Sequence, residues 1–185
     1  MNSAITRAQV HFIGEACSDD ETYDATAARL LKEQRRLSRF FEQNAEPLGM
    51  VAGQVALYML SVCIRIFDAT GGRLRKINSD DIKAARKRVE PMLAALFPAD
   101  DGFLDRAKGI VTRAQPHILD EVLWALYVRP QETEEQADLE PQQKAMVYVL
   151  LWTAIEALDA NWTPPKGWDP EAFELPEGAD PTPEA

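Results

Sequence analysis

PLGMVAGQVALYMLSVCI, residues 47–64, carries no charged side chain and runs into Arg65. Further along, AMVYVLLWTAI, residues 145–155, repeats the pattern and runs into Glu156. Neither stretch has a proline or a block of turn residues in its interior, so each reads as an α-helix buried over most of its circumference. Two such helices need a common covering surface, which predicts an all-α bundle with these two at its centre. The ionic residues closing them sit at the edge of that core, where an unpaired charge is costly. Arg65 and Glu156 are therefore expected to neutralise one another. Asp68, three residues after Arg65, is the rival partner.

Eighteen residues is also within reach of a membrane span. Gly49, Gly53, Gln54 and Ser61 interrupt this one, no Trp marks either boundary, and neighbouring apolar stripes need covering. The expectation is a soluble bundle without a membrane partner.

The flanking sequence supplies those stripes. Ala27, Leu30, Leu31, Gln34, Leu37, Phe40 and Phe41 recur at helical spacing after a helix start at Ser18-Asp19-Asp20. Gly71-Gly72 stops the helix that begins near Pro47. Ser79-Asp80-Asp81 opens the next, marked by Ile82, Ala85, Val89, Leu93 and Leu96, with a kink expected at Pro91. A shorter helix covers about 103–113, and Pro116 opens another through Ile118, Leu119, Val122, Leu123 and Leu126. Residues 129–140 form a polar, acidic loop expected to be mobile. At 185 residues, 46% hydrophobic, the chain supports one core. The expected layout is an N-terminal arm or short helix over 1–18, a single-domain bundle of about six helices over 19–162, and an extended Pro-rich acidic tail over 163–185. That tail has six prolines and six acids against one lysine, so it cannot form a regular helix.

The net charge of −10 argues against binding nucleic acid or anionic lipid through the whole surface. The distribution is uneven: residues 29–88 hold 13 Lys/Arg against 6 Asp/Glu. The densest part, Arg73, Arg75, Lys76, Lys83, Arg86, Lys87 and Arg88, is a candidate patch for an anion or acidic partner, the one place where nucleic acid would bind locally. It lacks the interleaved aromatics of a single-strand binder. The bland account is a basic face solvated or matched by acidic helices. The two cysteines, Cys17 and Cys63, and two histidines, His11 and His117, lack paired zinc spacing, and no apolar signal segment opens the chain. A reduced, cytoplasmic protein without cofactor is expected.

Chemistry, if present, would come from carboxylates. His117, Asp120 and Glu121 share one helix face with Trp124, while Tyr148, Trp152, Glu156 and Asp159 share another. Were those faces to meet, His117, Asp120, Glu121, Glu156 and Asp159 would converge into a cluster suited to acid–base work, with Glu156 and Asp159 as its metal ligands. Against this stands the rule that buried carboxylates are usually satisfied structural groups. Glu132-x-x-Glu135 and Glu156-x-x-Asp159 also have the spacing of the acid pairs in all-α nucleotide pyrophosphohydrolases, a match common by chance in a chain with 30 Asp/Glu. The expected function is a non-catalytic helical module that binds another protein, as adaptor, regulator or accessory subunit. A small metal-dependent nucleotide phosphohydrolase is the alternative, and an acidic mimic of nucleic acid the third.

Overall fold

The computed structural model describes residues 2–129 and 138–179. Among these the chain forms nine α-helical segments: α1 (Arg7–Asp19), α2 (Tyr23–Glu33), α3 (Arg35–Ala45), α4 (Met50–Thr70), α5 (Ser79–Val89), α6 (Leu93–Leu96), α7 (Phe103–Lys108), α8 (Pro116–Tyr127) and α9 (Pro141–Asn161). Strands β1 (Arg73–Leu74) and β2 (Trp162–Thr163) pair antiparallel. The two uncharged stretches lie at the centre of this all-α domain, as α4 and α9. α9 packs on α3, α4, α5 and α8, and every residue from Leu150 to Asp159 is buried. α4 packs on α1, α2, α3 and α9. Trp152, Tyr148, Phe41, Phe67 and Phe103 are among the largest fully buried side chains. Each such burial is worth on the order of 2–3 kcal/mol, so this aromatic centre carries much of the folding free energy.

Local chemistry sets the element ends. Gly71, with φ 89°, closes α4 and donates its N–H to the carbonyls of Phe67 and Asp68. Asn78 opens α5 in a capping box: its side-chain oxygen accepts from the N–H groups of Asp80 and Asp81, and the Asp81 carboxylate accepts from the Asn78 N–H. Acids in its first turn and Arg86, Lys87 and Arg88 in its last suit the helix dipole. At Pro91 the helix gives way to a 3-10 turn, Glu90–Met92, the expected break.

Three local expectations differ from the structure. Ser18 and Asp19 end α1 rather than open a helix, and 7–19 is a full helix. Val10, Ile13 and Cys17 bury one stripe of it, and α1 packs on α4 and α8. The chain turns at Asp20, whose carboxylate accepts from the N–H and hydroxyl of Thr22 at 2.8 and 2.7 Å. The stripe through Gln34 is not one helix, because Gln34 (φ −101°, ψ 42°) separates α2 from α3. Its buried amide bridges elsewhere: Oε1 accepts from the Ile77 N–H at 2.9 Å and Nε2 donates to the Arg75 carbonyl at 3.2 Å. The helix expected over 103–113 stops at Lys108, because Arg113 folds back to donate to the carbonyls of Ile110 and Lys108. The helix over 7–19, the break at Gln34 and the break at Pro91 together account for nine segments where about six were expected.

The Arg65–Glu156 pair does not form. Arg65 donates to its near neighbour Asp68 at 2.7 Å, and Glu156 is held by Arg88. The tail packs through its aromatics: Trp168 lies edge-on to Trp162, which lies edge-on to Phe67, and Phe173 lies 6.2 Å from Phe12. The expected mobile loop has its centre, 130–137, outside the described residues.

Candidate functional site

Glu156 and Asp159 are 4% and 3% exposed, and both are fully engaged. Glu156 Oε2 accepts from Arg88 Nε at 2.9 Å. Its Oε1 accepts from the Ala114 N–H at 2.9 Å and from Trp152 Nε1 at 3.2 Å. Arg88 Nη2 also donates to the Glu156 carbonyl. Asp159 Oδ1 accepts from Gln115 Nε2 at 2.8 Å, and its other oxygen from the Asn2 N–H at 3.3 Å. Asn161 completes the series by accepting from Arg75 Nη2 at 2.8 Å. One buried polar edge of α9 thus staples α5, the 113–115 turn, the N-terminal segment and the β1 connector to the core. A buried carboxylate accepting this many hydrogen bonds has exchanged water for fixed donors. Each of the two carboxylates accepts at least one hydrogen bond on each of its oxygens.

The α8 residues do not join them. Asp120 accepts from Arg113 Nη1 at 2.9 Å, and half-buried His117 has no recorded bond to Glu121, Glu156 or Asp159. Glu121 turns toward α1, where its Oε1 lies 2.8 Å from His11 Nδ1. The five-residue cluster expected from the sequence therefore does not assemble: Asp120, Glu121 and the Glu156–Asp159 edge of α9 hold separate partners and His117 joins none of them, because α8 meets α1 as well as α9.

What α8 and α1 build together is His11, Glu15 and Glu121. One donor atom from each lies within 4.8 Å of the others, so together they could hold a metal ion. Trp124 stands edge-on to the His11 ring at 5.4 Å. Arg129 already brings a cation, 3.4 Å from Glu15 and 5.5 Å above the Trp124 ring. Burial pushes the Glu121 carboxyl above the ordinary carboxylate range, and the adjacent His11 pulls it partly back. His11 and Glu15 are absent from the sequence-derived candidates because 1–18 reads equally as an arm or a short helix, which leaves no face on which to align them. Their i,i+4 spacing beside Val10 and Ile13 was the available signal. Below this polar rim runs an apolar cleft between α1, α4 and α8, floored by Met59, Val62, Ile66, Ile118 and Val122. Its free volume, about 70 Å³, fits a side chain rather than a nucleotide.

The seven cations of the basic stretch differ in their partners. Arg88 turns to Glu156, Arg75 to Asn161, and Lys83 to Asp80 at 3.2 Å, while exposed Arg73, Lys76, Arg86 and Lys87 have no recorded ion pair among the described residues. Glu132 and Glu135, the first of the two acid pairs, lie outside the described residues. Comparison of the chain with protein-family models, with curated proteins and with solved structures finds no match.

Proposed function

We propose that this protein is a non-catalytic helical interaction module that binds another protein along the outer face of α4 and the adjoining cleft. One observation carries the reading. α4 is long and apolar enough to cross a membrane, yet only 44% of its most apolar window is buried, and Met50, Val51 and Tyr58 are exposed beside half-buried Val55 and Val62. Met50 is 78% exposed, Val51 47% and Tyr58 41%. Val51, Val55, Tyr58 and Val62 recur at spacings of four, three and four, which aligns them on one side of the helix. Contiguous exposed apolar surface rimmed by polar groups is characteristic of protein-binding sites, and a groove between helices suits an amphipathic helix. Glu15 and Arg129 stand at the rim, where charge orients a partner more than it adds affinity.

The phosphohydrolase reading has less support, since Glu156 and Asp159 spend their oxygens on structural donors. The test compares co-purification from the native cell by the wild type and by Val51→Glu/Tyr58→Glu, both residues being exposed. A protein retained stoichiometrically by the wild type and lost by a variant of unchanged melting temperature supports the proposal. Equal retention by both, or flotation of the wild type with lipid vesicles and no protein partner, overturns it.

A further inference from the structure

On the opposite side of the helical break at Gln34, the surface is concave and cationic. Lys32, Arg35, Arg36, Arg39 and Lys76 line a cleft of about 420 Å³, together with Ile77 and a single acid, Glu33. That acid is already taken by Arg29 at 2.9 Å. No ion pair or side-chain hydrogen bond joins any of the five cations to another group among the described residues. Several other arginines are matched, Arg65 to Asp68, Arg106 to Asp100, Arg113 to Asp120 and Arg129 to Glu15, whereas exposed Arg73, Arg86 and Lys87 stand unpaired among the described residues without lining this cleft. The protein carries a net charge of −10, yet in this one concavity five cations stand together with a single acid, itself paired elsewhere. The placement is also built. The two bonds from buried Gln34 to Arg75 and Ile77 hold Lys76 across from α3, and the helical break swings Arg35, Arg36 and Arg39 to face it.

We propose that this cleft binds a compact polyphosphate, a di- or triphosphate group either free or carried on a small molecule. Three guanidinium forks and two ammonium groups are suited to an oxyanion that presents many acceptors in a small volume. The volume lies within the usual range for small-ligand sites. A long nucleic acid fits less well: the cleft's cations and Glu33 sum to +4, leaving −14 on the remainder of the chain. That field repels a polyanion extending beyond the cleft. No aromatic ring lines the cleft to stack a base.

The experiment is calorimetric titration of the full chain with inorganic tripolyphosphate at about 0.1 M salt, where long-range attraction between exposed charges is largely screened. One saturable site is expected. Arg36→Gln and Arg39→Gln should each weaken binding about tenfold, the loss of one charge-assisted contact. Lys87→Gln, an exposed cation on α5 outside the cleft, should leave it unchanged. The unliganded Gln variants should melt at or above the wild-type temperature, because each relieves repulsion among unmatched cations. If Arg36→Gln melts early, Lys76→Gln carries the same expectations. Absence of saturable binding, an equal loss in Lys87→Gln, or tighter binding of a single-stranded oligonucleotide than of tripolyphosphate overturns the proposal.

Discussion

Glu156 shows how a charged residue becomes part of a core. Two carboxylate oxygens collect three donors from three different segments. Glu156→Gln removes the charge facing Arg88 and places an amide N–H₂ where one of those donors now points. The expected loss is about 1–3 kcal/mol, below the usual figure for breaking a buried pair because the Arg88 side chain is 43% exposed and can turn to water. Urea unfolding should show this, with coupling of at least about 0.5 kcal/mol in the cycle with Arg88→Met. Arg65→Met should change stability by less than about 0.5 kcal/mol, since its pair with Asp68 is exposed. Additive losses with Arg88, or a large loss at Arg65, would contradict the assignment. The sequence marks Glu156 as a lone acid beside an apolar run, which places it near the core edge, whereas the structure buries it within the core. Its partner was not visible. Arg88 reaches it only through the course of the chain after Gly71, which periodicity does not encode.

Gly72 decides how the two ends of the bundle join. With φ at 83°, it passes so close to the tail that an added Cβ would lie 2.3 Å from the Thr163 carbonyl oxygen and 2.9 Å from the backbone of Pro164 and Pro165. Gly72→Ala should therefore cost roughly 2 kcal/mol or more through strain at positive φ and separation of β1 from β2. Near-ultraviolet circular dichroism of Trp162 and Trp168 should weaken in the same variant. An unaltered spectrum and melting temperature would show that the closure is not needed. The helix stop at Gly71 was readable from the sequence. The strand pair was not, since two residues on each side carry no pattern. The division of 23–45 into two helices was equally hidden. Gln34 sits in register with the apolar stripe, and only its bonds to Arg75 and Ile77, more than forty positions away, explain why the helix breaks there.

At the scale of the whole molecule, burial of phenols ties the fold to pH. Desolvation pushes Tyr148 up to about 12 and raises Tyr23 and Tyr127 further above the ordinary tyrosine value. A group that ionises less readily in the folded chain than in the unfolded one favours the fold fully below its unfolded pKa. That contribution is lost as pH climbs through the folded value. Stability should consequently fall above about pH 10, where unfolded tyrosines ionise, and phenolate absorbance should rise together with loss of helical circular dichroism. Full ionisation of all four tyrosines while helicity persists would refute this. The all-α class and the central pair of helices were legible because two long uncharged runs dominate the chain. The cationic cleft was not, because its members come from α2, α3 and the connector after α4. The staples on α9 have one more consequence, in the order of synthesis. Every segment they hold precedes α9, so the ribosome finishes α4 some ninety residues before it finishes α9, an interval of roughly 5–20 s. Throughout that interval α4 has α1, α2 and α3 beside it but lacks α9, the fourth helix that packs on it. The nascent chain therefore waits, unclosed, for its last helix.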